Sequence, residues 1–432
     1  ILEVEGKSTK GKTTSDVVKI LKGTPNTPVK ITIQRPGEEK PIEKTIVREE
    51  IKVKNVPYFG MIDDKIGMIK LTGFTEDAGR EVKDALTKLK ENPNLEGVVL
   101  DLRGNPGGLL REAINIVNVF VEKGLDIVST KGKVKEWDKT YKSLNNPTDL
   151  TIPLAVLVNR SSASASEIVS GSLQDLDRAV VVGQRSFGKG LVQTSRPLTY
   201  NTQIKITTSK YYIPSGRCIQ AKDYSHRNDD GSVGSMPDSL IREFKTKNGR
   251  KVYDGGGVNP DVSLAMKEYA PVTRALAGES YLFDFATEYR IKNPTLVGAK
   301  EFTVSNELFN EFVEYIGDKE IKYETESEEL LEKLKAAAEK EKYFSSFEKE
   351  YNTMKEKMMH DKKADMLKAR DEISQLLADE IVSRYYYQRG RIENSFSTDA
   401  EITRAVEILK NKTFYNEVIT GKYVEEVKKK GK

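Results

Sequence analysis

A group of small hydroxyl residues and a glycine-flanked lysine have the types and spacing best suited to nucleophilic chemistry. The hydroxyl residues are Ser161, Ser162, Ser164 and Ser166. The lysine, Lys189, follows Ser164 by 25 positions and stands between Gly188 and Gly190. A serine hydroxyl is a weak nucleophile until a base takes its proton. The pattern therefore suggests a serine activated by a lysine, and it does not choose among the four serines.

The scarcity of histidine and cysteine narrows the chemistry further. The two histidines, His226 and His360, lie in polar and highly charged stretches and are predicted to be solvated surface residues. The chain therefore has almost no histidine from which a Ser-His-Asp triad or a histidine-ligated metal site could be built. A single cysteine, Cys218, excludes an internal disulfide and a zinc–cysteine cluster. We predict neither a metal nor another cofactor.

A lysine that acts as a general base at neutral pH needs an unusual environment. Lysine titrates near ~10.4 in water, so its pKa must fall by roughly 3 units for this task. Burial in a dry pocket lowers a lysine pKa by this much. Apolar residues 180–182 precede Lys189, and Phe187 and Leu191 flank it. We predict an apolar pocket around the amine, with Gln193 orienting it without adding a charge.

The segment 154–193 predicts the elements that would position these side chains. Residues 154–158 form an apolar run of strand length, 167–176 carry a helical apolar face, and 179–182 form a second apolar run. A helical crossover favours parallel strands, which brings the serine turn and the lysine to one sheet edge. Ser164 and Glu167 also fit a capping box, so a purely structural role for Ser164 stays open.

A serine at a helix N-terminus has backbone N–H groups directed at a developing oxyanion. The glycine loop 104–108 follows a predicted buried strand, and it can bring a second amide from the neighbouring strand. Residues 203–212 alternate as a further strand, and 222–250 are predicted to be a long polar loop.

Residues 183–189 offer an alternative, because they match the first seven positions of a phosphate-binding P-loop, G-x-x-x-x-G-K. The eighth position is Gly190 rather than Ser or Thr, so the hydroxyl that binds magnesium is missing. The residues that follow resemble a strand, whereas a phosphate cradle needs a helix N-terminus. A nucleotide hydrolase is therefore the weaker hypothesis, and a non-catalytic peptide-binding scaffold is the other alternative.

The whole composition indicates a multidomain α/β protein. Two to four domains are expected from 432 residues, and no apolar run approaches the ~20 residues that span a bilayer. A net charge of +4 gives no indication of nucleic-acid binding. We predict a small β domain in residues 1–50, an α/β core in 51–265 and a helical C-terminal domain in 266–432. Residues 1–6 are typical of a domain interior, so a longer parent protein is expected.

Five motifs together resemble the carboxyl-terminal processing, or tail-specific, proteases over roughly residues 1–265. They are DLRGNPGG, SSASASEI, QDLDRAVVVGQRSFGKGLVQ, YYIPSGRCIQ and GGGVNPDV. The resemblance implies a crotonase- and Clp-protease-like core beside a PDZ domain, of which residues 1–50 would supply only the second half. It implies endoproteolysis near substrate C-termini by a Ser-Lys pair.

Carried over by motif, Ser164 is the nucleophile, Lys189 the general base and Gln193 its orienter. The oxyanion donors implied are the amide of Ala165 and that of Gly107 or Gly108. Asp175 falls at a position that some members need, and we expect a structural role for it.

The same resemblance implies protein or peptide substrates with free C-termini, no nucleic acid, and a location outside the cytoplasm, in the periplasm or cell envelope. It leaves assembly into a homo-oligomer open. The missing front half of the PDZ-like region puts carboxylate recognition by these residues in doubt, whereas Cys218, where serine is common, is expected to be harmless.

Overall fold

The computed structural model describes residues 1–423 except 228, 229, 231, 318 and 359–361. The surface prediction for His360 lies outside the described residues, and that for His226 lies outside the described side chains. The chain forms two compact units. One contains residues 1–53 and 268–395, and the other contains 54–267 together with the chain from 396 onward.

The N-terminal segment is a small antiparallel sheet with one helix. Its elements are β1 (Glu3–Val4), β2 (Lys7–Ser8), α1 (Thr14–Leu21), β3 (Pro28–Ile33) and β4 (Ile42–Val47). The strand order is β2-β1-β3-β4. Val4, Val29 and Ile31 form its buried face because strand side chains alternate between the two faces. Thr13 begins α1 by accepting a hydrogen bond from the Asp16 amide at 3.2 Å. Its PDZ-like nature stays a prediction.

The α/β core follows. Its strands are β5 (Tyr58–Met61), β6 (Ile66–Lys70), β7 (Gly97–Asp101), β8 (Asp126–Gly132), β9 (Lys139–Lys142), β10 (Leu154–Val158), β11 (Val180–Gly183), β12 (Leu191–Pro197), β13 (Gln203–Tyr212), β14 (Lys222–Arg227), β15 (Val233–Ser235), β16 (Glu243–Lys245), β17 (Lys251–Tyr253) and β18 (Val262–Ser263). Its first helices are α2 (Ala78–Leu89), α3 (Leu110–Phe120) and α4 (Ala165–Asp175).

The main sheet has the order β18-β11-β10-β7-β6-β5, and every neighbouring pair except β5–β6 is parallel. Strands β7 and β10 are buried at every position, as expected for parallel strands covered on both faces. The predicted parallel pairing of β10 and β11 across a helix is confirmed. A second sheet has the order β12-β13-β8-β9, with a bulge between Val192 and Gln193.

The prediction that residues 222–250 form one long polar loop is wrong. It contains the hairpin strands β14 and β15, and then β16, which pairs with β17. These strands are only three to six residues long, and their mostly polar sequences carry little of the alternation that marks a half-buried strand.

The next helices are α5 (Pro271–Gly278), α6 (Tyr281–Lys292), α7 (Asn306–Ile316), α8 (Glu326–Lys340), α9 (Glu348–Lys357), α10 (Lys362–Lys368) and α11 (Arg370–Ser395). Helix α11 is interrupted at Tyr387, where φ is 55°. A core of Phe285, Phe309, Phe312 and Leu377 holds α6, α7 and α11 together. The predicted helical character of this region is confirmed.

The last helices, α12 (Ala400–Lys410) and α13 (Lys412–Ile419), belong to the unit of the α/β core. Gly97 of β7 lies next to Leu409 of α12, whereas Val98 belongs to the core beneath α2 and α3. Helix α12 therefore covers the opposite face of the main sheet. This differs from the predicted extent of the helical domain, 266–432, because an amphipathic pattern does not reveal what its apolar face packs against. The three-domain division itself stays a prediction.

None of the helices in the described part of the chain combines the length and apolar character that crossing a bilayer requires.

Candidate active site

Ser164 lies at the turn between β10 and α4, in an unusual backbone conformation. Its φ of 55° and ψ of −112° fall outside the regions that L residues prefer. The neighbouring hydroxyls are engaged elsewhere, since Ser162 Oγ donates to the Leu102 carbonyl and Ser166 Oγ to the Asn105 carbonyl, each at 2.9 Å. Ser161 is exposed. Ser164 is thus the member of the serine group that faces a cavity.

This cavity has a volume of about 280 Å³. It brings together Ser164, Lys189 and Gln193, the three residues that the sequence predicts as a catalytic group. The full lining consists of Gly108, Leu109, Leu110, Ser164, Ala165, Ile168, Lys189, Leu191, Val192, Gln193, Lys205 and Tyr211. Of the predicted oxyanion residues, Ala165 and Gly108 line it and Gly107 does not.

The buried carboxylate of Glu167 joins the serine turn to the lysine loop. It accepts hydrogen bonds from the Ser164 amide at 2.8 Å, the Lys189 amide at 2.9 Å and the Gly188 amide at 2.6 Å. Ser186 Oγ donates a fourth bond at 2.6 Å. Burial raises the pKa of Glu167, although the four hydrogen bonds act in the opposite direction. Sequence analysis assigns Glu167 only a helix-capping role, and its link to the lysine loop is new.

Within the described part of the chain, no hydrogen bond joins the Lys189 amine to the Ser164 hydroxyl or to Gln193. Lys189 is half-buried, Gln193 is exposed, and 57% of Phe187 is exposed. The dry pocket predicted around the amine therefore stays a prediction. Lys189 leads into β12, which is an outer strand of its sheet.

Tyr211 of β13 contacts both halves of the site, a role that sequence analysis misses. Its hydroxyl lies 3.2 Å from the Ser164 carbonyl and within hydrogen-bonding distance of the Lys189 carbonyl. The side chain is only 2% exposed, and burial raises the pKa of its phenol well above the usual value. The phenol therefore remains a hydrogen-bond donor, and a donor can serve one of these two carbonyls at a time.

The glycine loop after β7 packs closely against the serine turn. A Cβ added to Gly107 would lie 2.6 Å from the Ala163 carbonyl oxygen and 2.8 Å from the Ala165 nitrogen. Asn105 is fully buried and its carbonyl accepts the Ala163 amide at 3.0 Å. The Asn105 side-chain oxygen accepts the Gly107 amide at 2.9 Å. The Gly107 N–H is thus already used within the loop.

An acidic pair at the start of α12 holds the residue that precedes the glycine loop. The Arg103 guanidinium lies 2.8 Å from Asp399 and 2.6 Å from Glu401. It also lies 2.9 Å from Asp101, whose other oxygen accepts a bond from Lys70 at 2.9 Å. Burial alone would raise the pKa of Asp101, but Arg103 and Lys70 outweigh it and hold that pKa well below the usual aspartate range.

Asp175, at the last turn of α4, forms a fully buried ion pair with Arg217 at 2.9 Å. Arg217 also donates to Gln174 at 2.7 Å. Burial raises the pKa of Asp175 and lowers that of Arg217, against the attraction between the two charges. The YYIPSGRCIQ motif contains Arg217, but nothing in the sequence indicates its partner.

The alternative of a phosphate cradle in 183–189 is not supported by the geometry. The amides of Gly188 and Lys189, which would face a phosphate, donate to the Glu167 carboxylate. The segment continues as strand β12 instead of a helix. In the described residues, no group of three or more His, Cys, Asp or Glu side chains is arranged to hold a metal ion.

Comparison with known proteins places the chain in a class of serine-type peptidases. Residues 65–227 match Peptidase family S41, and residues 272–409 match the family described as "Probable PDZ-protease, C-terminal helical domain". The chain is similar to a probable CtpA-like serine protease of Staphylococcus aureus (strain N315), with 36% identity over 344 residues, covering 78% of this chain and 66% of the relative.

The carboxy-terminal-processing protease of Bartonella bacilliformis is 41% identical over 248 residues, covering 56% of this chain and 54% of that protein. A solved structure described as a photosystem II D1 C-terminal processing protease is 26% identical, covers 61% of this chain and 62% of its own, and gives a TM-score of 0.38. The chain thus spans about two thirds of the staphylococcal relative and about half of the Bartonella relative.

The chain belongs to peptidase family S41. The family membership predicted from the five motifs is confirmed.

Proposed function

We propose that this chain is a serine endopeptidase that cleaves protein substrates near their C-termini, with Ser164 as nucleophile and Lys189 as general base. The observation that carries the proposal is the cavity of about 280 Å³ that Ser164, Lys189 and Gln193 line together. The hydroxyls of Ser162 and Ser166 also support the proposal, because both donate buried hydrogen bonds and leave Ser164 as the hydroxyl that faces the cavity.

In the proposed reaction, the neutral Lys189 amine takes the proton of the Ser164 hydroxyl as its oxygen attacks the scissile carbonyl carbon. Collapse of the tetrahedral intermediate breaks the C–N bond, and the lysine ammonium returns the proton to the leaving amine. Water then hydrolyses the acyl-enzyme with the same lysine as base. Gln193 orients the amine. The amine must approach the hydroxyl for this step, and catalytic hydrogen bonds commonly tighten only when substrate binds.

The proposed oxyanion donors are the amides of Ala165 and Gly108. Ala165 is the first residue of α4, so its N–H has no partner within the helix. The Gly107 amide already donates to Asn105, whereas Gly108 lines the cavity beside Ala165. Of the two glycines that the family resemblance allows, Gly108 is therefore the better donor. Two such amides stabilise the developing charge without reorganisation during the reaction.

Recognition of substrate tails by the PDZ-like residues 1–50, and a location in the periplasm or cell envelope, are also part of the proposal. They rest on the resemblance and on the S41 relatives. A crotonase-like arrangement of the core belongs here too, supported by the parallel sheet and its crossover helices.

The test is cleavage of an unfolded protein with an apolar C-terminus. Ser164→Ala and Lys189→Ala are each expected to abolish cleavage while circular dichroism and the unfolding midpoint stay close to those of the wild type. Most activity remaining in Lys189→Ala would show that the lysine is not the base.

A non-catalytic peptide-binding scaffold is a second candidate. The missing hydrogen bond between Lys189 and Ser164 favours it. A wild-type protein that binds the substrate tail but cleaves nothing would support this scaffold and contradict the peptidase.

A further inference from the structure

A second lysine, Lys205, lines the same cavity as Ser164 and Lys189. It lies in β13 opposite Ser195 of β12, and Thr207 lies opposite Gln193. Residues paired across an antiparallel sheet share a face, and side chains alternate along each strand. Lys205 therefore shares the cavity side of this hairpin with Gln193, which also lines the cavity.

Among the residues that the structure describes, Lys205 has no counter-ion. It is exposed, and it forms no ion pair or hydrogen bond with any described residue. Three other lysines of the core, Lys65, Lys70 and Lys90, each pair with a carboxylate at 2.6–2.9 Å. No acidic residue occurs from 184 to 222, although the chain has 66 Asp and Glu residues. The cavity lining contains none either.

The chemistry of the remaining wall is apolar. Leu109, Leu110 and Ile168 line the side contributed by the α3 and α4 segments. A concave site that joins an apolar wall to an uncompensated cation is complementary to a ligand with an aliphatic group beside an anion. On a polypeptide, the available anion is a carboxylate.

We propose that Lys205 binds a carboxylate of the peptide substrate, while the apolar wall receives an aliphatic side chain of the same peptide. This inference rests on the proposed function. The carboxylate belongs either to an acidic side chain near the scissile bond or to the free C-terminus of a short leaving segment. Both sources present the same chemistry to the amine.

The position of Arg196 argues against an extended anionic partner such as a membrane or a nucleic acid. Arg196 pairs with Ile204, next to the Ser195–Lys205 pair, and therefore lies on the side of the hairpin away from Lys205. A cavity of about 280 Å³ suits one side chain or one chain end instead.

The experiment measures peptide binding by fluorescence anisotropy in a Ser164→Ala background, so it does not depend on cleavage. Three short peptides share one aliphatic sequence: one has a free C-terminus, one is amidated, and one is amidated but carries an aspartate. The substitution Lys205→Met keeps the length of the side chain and removes its charge. Arg196→Met, on the opposite face, is the matched control.

Lys205→Met is expected to weaken binding of one or both carboxylate peptides about two- to fivefold at low ionic strength, with little effect on the neutral amide. Added salt should remove the difference. The carboxylate peptide whose binding weakens shows whether Lys205 binds a side-chain carboxylate or the free C-terminus. Equal binding of all three peptides by the Lys205 parent, or an equal effect of Arg196→Met, would overturn the proposal. Tight binding to anionic lipid vesicles that Lys205→Met abolishes, without any peptide effect, would also overturn it in favour of a membrane surface.

Cleavage and binding together distinguish failure of the Lys205 proposal from failure of the proposed peptidase function. If the wild-type protein cleaves substrate but its Ser164→Ala form ignores the peptide carboxylate, the peptidase stands and the subsite is rejected. If the wild-type protein cleaves nothing but the Ser164→Ala form binds carboxylate peptides through Lys205, the subsite stands and the peptidase is rejected.

Discussion

Arg103 and Asp399 form an ion pair at 2.8 Å although 296 residues separate them in the chain. Arg103 directly precedes the glycine loop, and Asp399 begins α12 by accepting the amides of Glu401 and Ile402 at 3.0 Å. Only 14% of the arginine side chain is exposed. Helix α12 is thus anchored to the loop that supplies a proposed oxyanion donor.

Asp399→Asn should weaken this anchor without removing the helix cap, because asparagine caps a helix as well as aspartate does. Arg103 keeps Asp101 and Glu401, so a loss of about 1–2 kcal/mol is expected, less than for a buried ion that loses every partner. The measurement is urea unfolding together with kcat. Asp399→Ala should cost about 1 kcal/mol more, since it also removes the cap. An Asp399→Asn protein as stable and as active as the wild type would contradict this role.

Gly107→Ala should abolish activity because its Cβ would collide with the serine turn, 2.6 Å from the Ala163 carbonyl oxygen and 2.9 Å from the Ser164 Cβ. Gly104→Ala is the matched control. Both glycines have positive φ, +93° and +72°, but a Cβ at Gly104 meets nothing within 4 Å. Gly104→Ala should therefore show only the conformational cost of about 1 kcal/mol. Comparable activity losses in the two variants would show that backbone strain alone, not the collision, matters.

Tyr211→Phe removes the hydroxyl that contacts the backbone carbonyls of Ser164 and Lys189. We expect a stability loss of about 1 kcal/mol and a fall in kcat of about tenfold with little change in KM, because the reacting groups lose a shared support. Tyr212→Phe, one residue further along β13 and on its other face, should leave kinetics unchanged. A Tyr211→Phe protein that loses stability but retains kcat would limit the residue to a structural role.

Stability should decline in acid because the pKa of Asp101 is lower in the folded protein than in the unfolded chain. Its stabilising contribution is therefore complete above pH ~4, where the unfolded aspartate is already ionised, and is lost as the pH falls further. Asp101→Asn should be about 3–5 kcal/mol less stable at pH 7. The measurement is urea unfolding from pH 7 to pH 3, in which the variant should show a flatter profile below pH ~4. Parallel profiles would contradict the assignment.

The elements around Ser164 follow from the sequence because their signals are local. Strand β10 is an uninterrupted apolar run, and the apolar face of α4 recurs with helical spacing. Strand β13 matches its predicted limits, since its alternation is confined to one segment. The serine and the lysine meet in one cavity because two parallel strands deliver them to the same sheet edge.

What could not be predicted depends on partners that are distant in the chain. The sequence indicates that α12 has an apolar face, but not that the main sheet covers it. It shows Tyr211 in a strand, but the pairing register and the bulge at Val192 and Gln193 decide which face meets the cavity. The exposure of Phe187 is missed for the same reason, because an apolar neighbourhood in sequence does not fix which side chains are open to solvent.

The positive φ of Ser164 sets thermal stability against catalytic activity. A non-glycine residue in such a conformation costs of the order of 1–3 kcal/mol, which the surrounding fold must offset. Glycine adopts it without a Cβ penalty. We therefore expect Ser164→Gly to melt at a higher temperature than the wild type in a calorimetric scan, whereas Ser164→Ala, which keeps the Cβ, should not. The protein would then be more stable without the hydroxyl that we propose as its nucleophile.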